Sequence, residues 1–311
     1  MNPKLAVVFS GQGSQKVGML AEVAAAYPVV QKTFAEASAV LGYDLWDLCQ
    51  NGEQEQLNAT ETTQPLLLTS SVALWRVWQE KNGAQPALLA GHSLGEWSAL
   101  VCAGVVAFTD AVELVRKRGA YMQTAVPKGE GAMAAVLNVD DARIIELCRE
   151  ASSVGVVEAV NFNSPGQVVI AGQAAAVEKA SELLKAAGAK RVLPLPVSAP
   201  FHTSLMKPAA EKMAAHIAAT VFSAPKIPVV HNVNAKTEAD PEIIKQRMIQ
   251  QIDSPVLWVD CVNTLVSSGI TTVLECGPGK VLCGLCTRID KSLNAIALED
   301  IAGIEKALTE T

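Results

Sequence analysis

Histidine is scarce in this chain. His92, His202, His216 and His231 are all there are in 311 residues, so imidazole chemistry has few possible addresses. Base is in deficit too. With 25 Lys and Arg against 31 Asp and Glu the net charge is −6, which argues against nucleic acid as a partner. No apolar run is long enough for a membrane span, and the apolar part of "MNPKLAVVFSGQG" is too short for a secretory signal. The seven cysteines are odd in number and lack framework spacing, so reduced thiols and a cytoplasmic location are expected. Cys283 and Cys286 form one Cys-x-x-Cys pair inside the helical pattern "KVLCGLCTRI". A structural zinc site wants four ligands. Only Cys276 lies near, without a histidine, so small apolar packing is expected and no metal. There is no Gly-Lys-Ser/Thr phosphate loop. The turn Gly11-Gln12-Gly13 has Lys16 where a dinucleotide fingerprint needs a third small residue. Neither a nucleotide cofactor nor an internal repeat is expected.

What is present is a large apolar content, 50% hydrophobic against 18% charged, enough for one large domain or a large one with a small companion. Strand and helix patterns alternate, which implies α/β architecture with parallel strands. "KLAVVFS" reads as the first buried strand and "PALLAG" as the next; helices are expected around 20–41 and 65–82, and over "GEWSALVCAGV" and "TDAVELVRKRGAYMQTAV". Later come strand "IPVVHNV", helix "EIIKQRMIQQI", helix "PVLWVDCVNTLVSSG" capped by Ser254-Pro255, strand "TTVLE", turn "CGPG" and a further helix. Residues 128–197 differ. Their order is strand, helix, strand, strand, helix, strand, the ferredoxin-like βαββαβ arrangement. The expected division is therefore a catalytic core of residues 1–127 and 198–311 with a ferredoxin-like subdomain, 128–197, inserted in it. A cleft between the two is a usual place for a ligand.

Gly91-His92-Ser93-Leu94-Gly95 matches Gly-x-Ser-x-Gly with a strand before it and a helix after it, the setting of a nucleophile elbow. Such a corner exposes the serine hydroxyl beside the free N–H groups of a helix start. The serine needs a base. His92 is adjacent, and adjacent side chains diverge on a sharp turn, so it suits the pocket wall better. His216 lies in a helical run. His202, in "SAPFHTSLM", follows the serine in the chain order of α/β-hydrolases and is preferred to His231 on position. No acid stands out as a third member; a carbonyl can hold the tautomer instead. The Gly11-Gln12-Gly13 turn either offers a backbone N–H to the site or is a plain turn. Arg118 shares a helix face with Ala111, Val115 and Met122, an otherwise apolar stripe. Lys117 points elsewhere and can pair with Glu113. A buried guanidinium needs a partner, either a distant carboxylate or that of a ligand.

These residues, with "FSGQGSQKVGM", "TETTQP", "GHSLGEWSALVCAG", "RKRGAYMQ", "VNFNSPGQVVIAG", "PVSAPFHTSLMKPA" and "ECGPGKVL", resemble the motifs of the malonyl-CoA:acyl carrier protein transacylases, in the same order and along nearly the whole chain. The resemblance implies an α/β-hydrolase-like core with a ferredoxin-like insert. It implies Ser93 as nucleophile, His202 as base oriented by the main-chain carbonyl of Gln251, and an oxyanion hole at the N–H groups of Gln12 and Leu94. It assigns Arg118 to the malonyl carboxylate and Gln64, His92 and Asn163 to the pocket. The implied partners are coenzyme A thioesters and acyl carrier protein, without cofactor or metal. Lys190, Arg191, Lys207, Arg288 and Lys291 are candidates for meeting an acidic carrier. The sequence departs from the family pattern at Ser10, Trp97 and Thr203, where proline, tyrosine and a smaller residue are usual. A serine hydrolase or thioesterase, a polyketide-type acyltransferase with another extender unit, and a non-catalytic carrier-binding subunit are the competing readings.

Overall fold

The computed structural model describes residues 1–197 and 199–311; Ser198, where the second core segment is expected to begin, lies outside the described residues. The strands are β1 (Asn2–Phe9), β2 (Pro86–Gly91), β3 (Gly131–Leu137), β4 (Val157–Ser164), β5 (Gln167–Gln173), β6 (Arg191–Pro194), β7 (Val229–Val230), β8 (Thr272–Cys276) and β9 (Asn294–Ala297). Five of them make a parallel sheet in the order β7-β2-β1-β8-β9. Its centre is β1, whose run from Leu5 to Phe9 is wholly buried, as a strand covered by helices on both faces must be. The side chains divide by parity. Leu5, Val7 and Phe9 join the larger core with Leu66, Leu67 and Trp97, while Ala6 and Val8 face Trp258, Val262 and Leu285 on the other side.

The remaining four strands form an antiparallel sheet, β4-β5-β3-β6, built from the expected βαββαβ order with helices Asp141–Ala151 and Ala174–Ala186. Ala134, Val136, Ile144, Leu147, Val168, Ile170, Val177 and Leu184 pack into a separate small core. The architecture is thus α/β, a parallel sheet with an antiparallel one.

Several expectations from the sequence need correction. Ser254-Pro255 caps no helix. Val256 instead bridges β4 as an extended residue, donating to the Val160 carbonyl at 2.8 Å and accepting from Phe162 at 3.0 Å, and the helix begins only at Trp258. The stretch 20–41 is two helices, Ala21–Ala26 and Val29–Leu41, separated at Tyr27-Pro28, where proline has no N–H to continue the first. The expected strand "IPVVHNV" shrinks to Val229–Val230, because the chain turns toward the elbow at His231. The helix expected from 65 starts earlier, at Thr60, and runs through Pro65 to Glu80. Helices Leu45–Asn51 and Gln54–Asn58 and strand β9 are too short for their periodicity to announce them; helix Ile301–Glu310 was also not anticipated, although Ile304 and Ala307 mark its buried face and Asp300 caps it.

Candidate active site

The carboxyl ends of β7, β2 and β1 lie side by side, and the loops that leave β1 and β2 bring Gln12, His92 and Ser93 to the site. β2 ends at Gly91 paired with Phe9, and helix Leu94–Cys102 starts three residues later. Only glycine fits this corner. A Cβ on Gly91 would stand 2.0 Å from the carbonyl of Gly95, and one on Gly95 would stand 2.0 Å from the carbonyl of Phe9. Ser93 is held at φ 52°, ψ −108°, a conformation that costs a non-glycine residue about 1–3 kcal/mol. His202 is also left-handed, with φ 64°.

The two strained residues meet. Ser93 Oγ lies 2.7 Å from His202 Nε2, and His202 Nδ1 donates to the main-chain carbonyl of Gln251 at 2.9 Å. A carbonyl only accepts, so Nδ1 carries the proton and the Nε2 lone pair faces the serine hydroxyl. His202 is 3% exposed. Burial, reinforced by the Arg118 guanidinium, pushes its pKa down from 6.5 to about 3, so the imidazole is neutral at physiological pH.

Arg118 is 1% exposed, on the helix face with buried Ala111, Val115 and Met122, while Lys117 pairs with Glu113 at 3.2 Å. Its partners are amide oxygens: Nη1 donates to Gln64 Oε1 at 2.8 Å and Nη2 to Gln251 Oε1 at 2.9 Å. Nη2 also lies 3.3 Å from Ser93 Oγ. Buried Nε has no hydrogen-bond partner among the described residues. Burial lowers the arginine pKa from 12.5 to about 10, with the Glu96 carboxylate opposing, so the group stays charged.

Gln12, Gln64, His92, Ser93, Leu94, Arg118 and His202 line one cavity of about 120 Å³ with Met122, Met133 and Phe201. Asn163 lies in an adjoining cavity of about 280 Å³ that shares Gln12 and His92, and its Oδ1 is 2.8 Å from His92 Nε2. Burial lowers the His92 pKa. Gln251 stands behind the cavity, fully buried. A larger groove, about 560 Å³, runs along Trp75, Arg76 and residues 104–108 and contains none of these groups.

The other histidines are occupied elsewhere. His231 Nδ1 meets Glu96 Oε1 at 2.7 Å, and His216 Nε2 meets the Tyr121 hydroxyl at 3.0 Å. Cys283 and Cys286 lie in helix Val281–Ile289; burial raises both thiols, Cys286 to about 12. No grouping of three or more metal-ligating side chains occurs among the described residues. Glu96, Asn232 and the side chain of Gln251 escaped the sequence reading, as did the cavity-lining Met133 and Phe201. Glu96 carried a signal, standing one helical turn after Ser93. Asn232 and the Gln251 amide carried none.

The chain belongs to the acyl transferase domain family, whose model matches residues 6–309; it is an acyltransferase. Several relatives within that class share a name. A Salmonella typhimurium protein named malonyl CoA-acyl carrier protein transacylase is 58% identical over 307 residues, 99% of each chain. The Escherichia coli K12 protein of the same name is 57% identical over 305 residues, 98% of this chain and 99% of that one. A Vibrio cholerae acyl carrier protein S-malonyltransferase superposes with a TM-score of 0.96 at 56% identity, covering 97% of this chain and 99% of its own. A malonyl-transacylase solved in complex with its type II PKS acyl-carrier protein superposes at 0.98 with 53% identity, covering 99% of this chain and all of its own.

Proposed function

We propose that this protein transfers the malonyl group from malonyl-CoA to the phosphopantetheine thiol of acyl carrier protein, supplying extender units for fatty-acid synthesis. Ser93 Oγ attacks the thioester carbonyl while His202 Nε2 accepts its proton. The N–H groups of Gln12 and Leu94, the latter at a helix start, take the oxyanion. His202 then protonates the departing CoA sulfur, leaving a malonyl ester on Ser93. The carrier thiol gives its proton to His202, attacks the ester, and displaces Ser93 by the reverse route, a ping-pong sequence. Thioester is exchanged for thioester, so the reaction calls for no metal and no nucleotide.

The observation that carries the malonyl assignment is the buried Arg118 guanidinium, its Nε unpartnered among the described residues, lining the same cavity as the Ser93–His202 pair. A carboxylate one acyl length from the ester carbonyl satisfies it. Gln64 and Gln251 fix the fork, and His92 and Asn163 line the approach. The exposed bases Lys190, Arg191, Lys207, Arg288 and Lys291 are available to an acidic carrier. No helix among the described residues is long and apolar enough to cross a membrane, and the free thiols suit the cytoplasm.

Intact-mass spectrometry after mixing with malonyl-CoA tests the mechanism. Wild-type protein gains one malonyl group, Ser93→Ala gains none, and the label leaves on addition of carrier thiol. Label retained by Ser93→Ala refutes the nucleophile. Methylmalonyl- and acetyl-CoA, run alongside, define the acyl group.

A further inference from the structure

We infer that Asn232, anchored by Glu96, is the positioning residue that holds the nucleophile in its acylating geometry. This goes beyond the mechanism above and rests on Ser93 being the nucleophile. β7 pairs with β2 at Leu89↔Val229 and Ala90↔Val230, so the chain leaves β7 level with the elbow. There the fully buried Asn232 closes a ring on the strained corner. Ser93 N–H donates to Asn232 Oδ1 at 2.8 Å, and Asn232 Nδ2 donates to the Gly91 carbonyl at 2.7 Å. The two contacts flank His92 and fix the amide's orientation, since one partner only donates and the other only accepts.

Asn232 is itself immobilised. Its N–H donates to Glu96 Oε2 at 3.2 Å, and its carbonyl accepts from Leu257 N–H at 3.1 Å. Glu96 is 1% exposed and held by His231 at 2.7 Å and the Gln251 amide at 2.6 Å. That Gln251 amide also donates to the Ser93 carbonyl at 2.9 Å. Both peptide groups of Ser93 are therefore pinned from outside the elbow. The Ser93 N–H is committed to Asn232, which leaves the oxyanion to the N–H groups of Leu94 and Gln12. Without Asn232 the peptide between His92 and Ser93 keeps one backbone tether, the Gly95 N–H on the His92 carbonyl at 2.9 Å, and its unpaired N–H no longer resists relaxation of the disfavoured conformation, which takes Oγ away from His202 Nε2.

The test measures the rate of Ser93 acylation by quenched intact-mass spectrometry, with malonyl-CoA and acetyl-CoA in parallel, on protein shown to be folded by circular dichroism. Asn232→Ala is expected to slow acylation at least about tenfold for both acyl groups and leave their ratio unchanged, because Arg118 is untouched. Asn232→Asp, nearly equal in volume, keeps an acceptor for Ser93 N–H but cannot donate to Gly91, and is expected to be slow as well. Folded Asn232→Ala acylating at the wild-type rate overturns the inference, as does a changed ratio with the rate kept. Should neither variant fold, amide exchange in the wild type decides: a protected Ser93 N–H supports the ring, and exchange as fast as an open loop overturns it. Wild-type protein that takes up no malonyl sinks the Ser93 mechanism itself, a result distinguishable from the others.

Discussion

Replacing Arg118 by alanine removes the one guanidinium in the Ser93 cavity. In the wild type that group is 1% exposed, so a malonyl carboxylate meeting it is stripped of water and depends on it. Truncating one partner of such a buried, hydrogen-bonded charge pair costs about 2–5 kcal/mol. At 1.36 kcal/mol per decade this is roughly a 30- to 5,000-fold loss in kcat/KM for malonyl-CoA. Acetyl-CoA loses nothing comparable. It has no carboxylate, and the mutation removes the desolvated guanidinium that acetyl leaves unpaired. The malonyl-to-acetyl ratio is therefore expected to collapse, while Arg118→Lys, with a point charge in place of a fork, falls between. The assay is steady-state transfer to carrier protein with each thioester, normalised to folded enzyme. That normalisation matters because the Gln64 and Gln251 amide oxygens also lose a donor. An unchanged ratio in folded Arg118→Ala refutes the assignment of Arg118 to the substrate carboxylate.

Acidification separates activity from stability. A histidine at its ordinary value of 6.5 is half protonated there, whereas His202 holds out to about 3. Acylation kcat/KM is thus expected to lack a histidine limb between neutrality and about pH 5, and a fall centred on the ordinary histidine value refutes the shift. For stability, the unfolded chain binds the His202 proton below 6.5 and the folded chain only near 3. The unfolded state holds more protons in that window, so this contribution is complete above 6.5 and is lost as pH falls toward 3, which thermal unfolding across the range measures. Gly95→Ala forces a Cβ to within 2.0 Å of the Phe9 carbonyl, and backbone cannot yield as a flexible side chain does. A loss of about 1–3 kcal/mol or more is expected in denaturant unfolding; wild-type stability shows that the corner has room.

Much of this was legible because its causes are local. A buried run, two glycines and a helical pattern place Ser93 on a corner, since periodicity and backbone sterics act over a few residues. The helix face of Arg118 follows from 3.6-residue spacing, and the βαββαβ order from the alternation of patterns. The Ser254-Pro255 cap failed because a tertiary contact intervened. Val256 pairs with β4, and that pairing overrides a local helix-start signal. The choice between His202 and His231 rested on position, and the structure separates them by partner, Ser93 for one and Glu96 for the other.

By itself the sequence determined that a serine would stand strained at a strand's end, that an arginine would be buried on an apolar stripe, and that a small antiparallel unit would interrupt a parallel one. Only the tertiary structure decided how these meet. Residues 93 and 232 follow the neighbouring parallel strands β2 and β7, while 202 comes after β6 of the antiparallel sheet, 118 from within helix Phe108–Thr124 and 251 from the end of helix Pro241–Gln250, and packing brings the five together. Hydrogen bonds between residues more than a hundred positions apart leave no periodic trace in the chain, since the geometry that forms them belongs to the packed sheet.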